Sequence, residues 1–290
     1  MKGKRKINES DEAVVGIVVT VLLIGLVLSV TVMINNVYVP QWVEKEEVNH
    51  MDEVSYQFSQ LKYAIDMQSI INGSTTMSTG VTLGSREIPI FNAGRSYGSL
   101  IIDPGSCIIS INSSSLNQTF YTDSIKYSSG NSYYVNQDYI YQAGALILYQ
   151  DNANVLLGKP SLTVSRPDFE GDEKEIKFNV VNIQGVKGKT SGGGFGTYEI
   201  FTQVTNPSME YIMFENVSKM TIITPYPNAW NTSLKRSFLQ SGRVINYTAE
   251  ISPNNLEINF YQDENEGYHY DLLVREIEVR TEIGFGISND

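Results

Sequence analysis

From Ala13 to Ile34 the chain reads AVVGIVVTVLLIGLVLSVTVMI, 22 positions without a charge. A helix of about 20 apolar residues crosses a bilayer core. In lipid every backbone polar group must be paired within the segment, so this run is expected to be helical. It is longer than the apolar core of a secretory signal, roughly 7–15 residues, and no small-x-small cleavage site follows it. The pattern therefore predicts a charged tail over 1–12 and a transmembrane helix over 13–35.

Beyond the span the apolar positions thin out but keep a helical period. Met51, Val54, Phe58, Leu61 and Ile65 are separated by 3, 4, 3 and 4 residues, a narrow heptad-like stripe for helix packing. Glu44, Lys45, Glu46, Glu47, Asp52, Glu53 and Lys62 fall on the other faces. Pro40 suits a kink or a first helical turn, and Asn72-Gly73-Ser74 supplies the stop. A stalk helix is predicted over 36–72, with residues 41–71 reaching roughly 45 Å. Its stripe can pack on copies of itself or on the chain's own β region, and the pattern leaves both open.

After residue 74 the period changes from helical to alternating. Leu100–Ile102, Cys107–Ile111, Ala145–Tyr149, Ser161–Ser165, Glu175–Val181, Tyr198–Val204, Lys219–Thr224, Ile245–Ile251, Leu256–Gln262 and Leu273–Glu282 read as strands. The last alternates through Val274, Ile277 and Val279 with one slip. Leu146–Tyr149 and Ser161–Val164 are expected to form a hairpin through Asp151–Pro160. One short helix, Ala229–Gln240, is predicted behind a cap at Asn228, with Trp230, Leu234, Phe238 and Leu239 on one face and Gly242 ending it. Ser165-Arg166-Pro167-Asp168 marks a boundary between a first β-rich lobe, 73–165, and a second, 166–290. The expected fold is thus one transmembrane helix continuing into an amphipathic stalk, then a mainly-β, sandwich-like extracellular region with one short helix.

Charge orients this arrangement. The tail holds Lys2, Lys4, Arg5 and Lys6 against Glu9, Asp11 and Glu12, whereas the flank after the span is acidic. The positive-inside rule then places the N-terminus in the cytoplasm and residues 36–290 outside, as a single-pass membrane protein. With the tail set aside, 17 basic and 29 acidic residues remain, a net charge of −12. So acidic a body argues against a nucleic-acid partner. Cys107 is the only cysteine, so the chain forms no internal disulfide.

Motifs with the residue types for chemistry are sparse. Gly188-Lys189-Thr190 ends like a phosphate-binding loop, but Ile183 stands where the first glycine is needed, and a flexible turn is the better reading. Gly192-Gly193-Gly194-Phe195-Gly196 reads as a mobile hairpin tip with an exposed Phe. Asp263, Glu264, Glu266 and Asp271 are oxygen ligands dense enough to be weak calcium candidates, although without EF-hand spacing. With His50 and His269 the only histidines, a multi-histidine zinc site is excluded, and no Gly-X-Ser-X-Gly is present. No cofactor and no enzymatic activity are expected. Asn-X-Ser/Thr sequons make Asn72, Asn112, Asn117, Asn216, Asn231 and Asn246 candidate glycosylation sites.

Two stretches carry a family resemblance. The start, KRKINESDEAVVGIVVT, resembles the class III signal of archaeal type IV pilin-like proteins. The run from Val39-Pro40-Gln41-Trp42 through His50-Met51-Asp52-Glu53-Val54 to Gln57-Phe58-Ser59-Gln60-Leu61-Lys62-Tyr63-Ala64-Ile65-Asp66 is similar to the stalk of membrane-anchored, pilin-like proteins of methanogens and their relatives. Ser99-Leu100-Ile101-Ile102 and Pro104-Gly105-Ser106 extend the likeness. The resemblance implies leader cleavage near Ala13–Val14, an anchor helix that stays, a β-rich outer domain, and self-association or pairing with other pilin-like subunits through the N-terminal helix. It carries no catalytic residue across. Two roles remain open: a pilin-like subunit or minor pilin of a surface filament, and a stand-alone anchored domain that binds carbohydrate, envelope or another cell.

Overall fold

The computed structural model describes residues 6–71, 75–87, 95–164, 174–206, 210–240, 245–261 and 270–285. It begins with one unbroken helical rod. Helix α1 spans Lys6–Met33, a single π-helical turn covers Ile34–Tyr38, and α2 runs Val39–Ile71. The π turn has a local cause. Pro40 has no N–H to donate and its ring would crowd the carbonyl four residues back. Just ahead of it the Val39 N–H bonds to the Ile34 carbonyl, a five-residue step that widens the rod where the proline enters. The helix therefore passes Pro40 without a break.

The β region follows with fifteen strands among the described residues. They are β1 (Met77–Thr82), β2 (Tyr97–Asn112), β3 (Asn117–Gly130), β4 (Asp138–Gln142), β5 (Ala145–Gln150), β6 (Ala153–Gly158), β7 (Leu162–Val164) and β8 (Lys174–Gly185). Then come β9 (Ser191–Gly194), β10 (Thr197–Asn206), β11 (Ile212–Phe214), β12 (Lys219–Ile223), β13 (Tyr247–Ser252), β14 (Asn255–Phe260) and β15 (Tyr270–Phe285). Helix α3, Pro227–Gln240, separates β12 from β13.

The strand order along the main path is β1-β10-β15-β8-β3-β2-β12-β14-β13. Only β8 and β15 run parallel; the other described pairs are antiparallel. A single bridge, Asp123 to Ile183, joins the half built on β8, β10 and β15 to the half built on β2, β3 and β12. Strands from before and after residue 165 are interleaved in this order, β10, β15 and β8 lying between β1 and β3, so strand pairing crosses the boundary proposed there. Residues 165–168 themselves lie outside the described residues.

The apolar residues form two cores on opposite faces of the strands. One gathers Val54, Phe58, Leu61 and Ile65 of α2 with Val81, Leu100, Ile125, Tyr127, Tyr139, Ile200 and Val279. The other gathers Trp230, Leu234 and Phe238 of α3 with Ile109, Phe120, Ile140, Ile147, Phe178, Ile222, Ile258 and Leu272. In β15, Tyr270, Leu272 and Val274 serve the α3 core, while Ile277, Val279 and Ile283 serve the α2 core. The slip in alternation between Val274 and Ile277 is where the strand passes from one core to the other. Its partner β8 switches at the same register: Val180 faces α3, Val181 faces α2, and they pair with Glu276 and Ile277.

Several local expectations change. Residues 153–158 form β6, which turns back on β5 through Asp151 (φ 49°) and Asn152 (φ 63°). Two consecutive left-handed residues give the two-residue hairpin turn that matches strand twist. The expected hairpin of Leu146–Tyr149 with Ser161–Val164 is thus replaced, and β7 pairs with β8. Leu239 is 79% exposed and leaves the face shared by Trp230, Leu234 and Phe238. Gly242 lies outside the described residues. The glycine run is no hairpin tip: Ser191–Gly194 is strand β9, paired with Gly98–Ile101 of β2. There a Cβ on Gly192 would sit 2.5 Å from the Tyr198 ring, and one on Gly98 would sit 2.2 Å from the Leu83 carbonyl oxygen. Glycine permits that close crossing because it brings no side chain.

Candidate functional site

Two features stand apart from ordinary core packing: the division of the helical rod into a bare half and an embedded half, and a polar cleft in the β region. In the bare half, the large apolar side chains from Val14 to Met33 are 48–68% exposed all round the helix. Gly16 and Gly25 have no heavy atom near the place a Cβ would occupy. This helix is long and apolar enough to span a membrane. Val14 projects from it into open space; Ala13 belongs to the same helix.

The embedded half is fastened by apolar and polar contacts together. Met51, Val54, Phe58, Leu61 and Ile65 are at most 2% exposed and pack on the chain's own strands. Around this seam, polar groups of α2 meet backbone groups of the β region. Glu47 Oε1 accepts the Ser132 N–H (2.7 Å), and Oε2 accepts those of Tyr133 (2.9 Å) and Tyr134 (2.7 Å). Three successive amides form a concave anion site. Glu47 is fully buried: lying four residues before Met51, it extends the 3-4 stripe and is not among the solvated charges where it was expected. Gln57 accepts the Thr82 N–H at 2.9 Å, and the His50 ring nitrogen Nε2 lies 2.9 Å from the Thr82 carbonyl oxygen, so both close the end of β1. Lys62 donates to the Gly144 carbonyl (2.8 Å) and to Asp66 (2.9 Å). Gln68 donates to the Thr202 carbonyl (2.8 Å) and accepts from its hydroxyl (3.0 Å).

Since a carbonyl oxygen only accepts, His50 Nε2 carries the proton in that contact, leaving Nδ1 buried without a partner. Burial lowers the His50 pKa. The Thr82 carbonyl and the charges of Glu53 and Glu47 oppose that shift without overcoming it.

The cleft, in the β region, has a volume of about 740 Å³. Six stretches converge on it: Asp103 at the start of the β2 bulge, Lys126 on β3, Asp138 on β4, the β5–β6 turn, the approach to α3, and the β13–β14 turn. Lys126 and Asp138 pair at 2.8 Å. Tyr149 donates its hydroxyl proton to Asn152 at 3.0 Å and meets Tyr226 edge to face at 5.9 Å between ring centroids. Asn154 Oδ1 accepts the Ala229 N–H at 2.7 Å and so ties the turn to the first turn of α3. The Tyr226 hydroxyl is pushed up to about 12, first by burial and then by the negative charges of Asp138 and Asp103. Behind the cleft, Gln142 accepts from Trp230 Nε1 (3.0 Å) and from the Thr224 hydroxyl (2.8 Å), holding α3 to β4.

The sequence motifs are placed differently. Asp263, Glu264, Glu266 and His269 lie outside the described residues, whereas Asp271 is buried in β15 and accepts the Asn216 N–H at 2.9 Å. Among the described residues no group of three His, Cys, Asp or Glu is arranged to hold a metal. Gly188 (φ 84°) turns the chain between β8 and β9, and Lys189 pairs with Glu282 at 2.6 Å. Cys107 is buried, which raises its thiol pKa. Of the sequons, Asn72 lies outside the described residues. Asn112 and Asn117 are exposed on either side of the β2–β3 turn, Asn246 is exposed, and Asn216 and Asn231 are half-buried. The cleft residues carried no motif; their one visible signal was turn chemistry, Asp103-Pro104-Gly105 and Pro225-Tyr226-Pro227-Asn228. No protein-family model, curated protein or solved structure matches the chain.

Proposed function

We propose that this chain is a non-enzymatic, membrane-anchored cell-surface protein of the pilin-like kind, with its β region held outside the cell on a single helix. One observation carries the reading: the continuous rod is bare and apolar from Val14 to Met33 and embedded in the chain's own β region along α2. An apolar surface of that extent needs a cover, and lipid or neighbouring apolar helices supply one. Because the stripe from Met51 to Ile65 is already occupied, self-association or pairing with other pilin-like subunits falls to the segment from Val14 to Met33. Orientation rests on the basic tail, the N-terminus being cytoplasmic.

Filament membership requires loss of the tail. Its four cations and three anions hold the helix end at the cytoplasmic face, since moving charges into lipid is costly. Mass spectrometry of the protein from its native membrane reads the result: a new terminus near Val14 supports a filament subunit. An intact Met1 or Lys2 terminus overturns that role and leaves the stand-alone anchored binding domain, which the polar cleft favours. Cysteines introduced at Ser10 and at exposed Ser78 test orientation, with labelling in whole cells expected only at position 78.

A further inference from the structure

We infer that the cleft bounded by Asp103, Tyr149 and Asn228 is a binding site for neutral carbohydrate, taking the hydroxyl-rich face of an oligosaccharide. Its volume, about 740 Å³, lies in the range of small-ligand sites. The walls are stiff before any ligand arrives. Pro225, Pro227 and Pro253 restrict the backbone on two sides, and the Asp151–Asn152 turn is held by the Tyr149 hydroxyl and by the tie from Asn154 to α3. Preorganised walls lose little freedom on binding.

The chemistry of the lining selects the ligand. Asp103 has no hydrogen-bond or ion-pair partner among the described residues, and the amide groups of Asn228 and Asn254 are also uncommitted in the described structure. A carboxylate accepts only, whereas an amide both donates and accepts. Together they match adjacent sugar hydroxyls, each of which also donates and accepts. Tyr149 is half-buried and offers an aromatic surface to the C–H face of a ring. Lys126 is committed to Asp138, so the lining carries one uncompensated negative charge, at Asp103. That charge disfavours phosphate, sulfate and sialic acid. Among the described residues no three His, Cys, Asp or Glu side chains gather there to hold a metal.

The inference goes beyond the anchored-subunit reading and stands or falls separately, because binding is measured on purified full-length chain whatever its processing. The chain in lipid nanodiscs is presented to an array of neutral hexose and N-acetylhexosamine oligosaccharides beside sialylated and sulfated ones. Binding to neutral members is expected, and Asp103→Ala and Asn228→Ala should each weaken it by about tenfold or more, the loss of one hydrogen-bonding group to a ligand. Both side chains are without partners in the fold, so thermal unfolding should be unchanged. Absence of binding to every neutral glycan, preference for the acidic ones, or neutral binding untouched by both substitutions overturns the site.

Discussion

The carboxylate of Glu47 accepts the backbone N–H of Tyr134 at 2.7 Å across 87 residues of sequence. With the N–H groups of Ser132 and Tyr133 it completes a three-donor site that lets a charged side chain sit fully buried without a cation. Charge-assisted bonds from fixed amides replace the hydration the carboxylate gives up. Glu47 thereby fixes the N-terminal part of α2 to the loop between β3 and β4. Glu47→Gln keeps the shape but turns one acceptor into a donor facing donors. It should cost about 2–4 kcal/mol, the loss of charge-assisted bonds from buried groups. Glu44→Gln, on an exposed side chain, should stay within about 0.5 kcal/mol. Denaturant unfolding of the full chain in detergent compares the two.

The α2 stripe predicts a second contrast. Phe58 has no exposed surface and meets Tyr127 and Tyr139, with ring centroids 6.5 and 6.0 Å away. Phe58→Ala should lose about 3–5 kcal/mol. Tyr63, five residues on and 62% exposed, should lose under about 0.5 kcal/mol as alanine. Equal losses in the same unfolding assay would place the seam elsewhere.

Gln142 predicts a polar counterpart in the other core. Gln142→Leu leaves the Trp230 indole N–H and the Thr224 hydroxyl without their acceptor. Each buried donor left unpaired costs roughly 1–3 kcal/mol. Lowered stability is expected together with a changed Trp230 fluorescence, a readout that reports on α3 directly.

His50 predicts a dependence on pH. Its pKa in the fold is lowered, so the folded chain binds fewer protons there than the unfolded chain, whose histidine titrates near 6.5. The contribution is fully present above that value and is lost as pH falls through it toward the folded pKa. The groups facing the ring are the Thr82 carbonyl, the Tyr127 ring and the carboxylates of Glu53 and Glu47. His50→Gln should flatten the melting temperature between about pH 7 and pH 5. A slope as steep as in the unsubstituted chain would assign the effect to other groups.

The helical half was legible because its signals are local. An uncharged run of 22 residues and a 3-4 spacing determine helix, length and buried face with few alternatives. Strands beginning near Leu100, Ala145, Glu175, Tyr198 and Lys219 could likewise be read from alternation. β3 could not: in Asn117–Gly130 buried Phe120, Ile125 and Tyr127 change parity among Ser, Thr and Asn, because the strand feeds two cores on opposite faces. The same cause underlies the slip at Val274–Ile277, which was visible in sequence but has meaning only once both cores exist.

Which surface receives the α2 stripe, which donors meet the Glu47 carboxylate, and how Asp103, Tyr149 and Asn228 come to border one cleft were decided only by tertiary structure. Side-chain period states what a residue's own segment turns inward. It does not state which distant amides or carboxylates that face will meet. Those partners lie 85 to 87 positions away for Glu47, and the walls of the cleft come from positions as far apart as Asp103 and Asn254, and no short-range pattern encodes a distance of that kind.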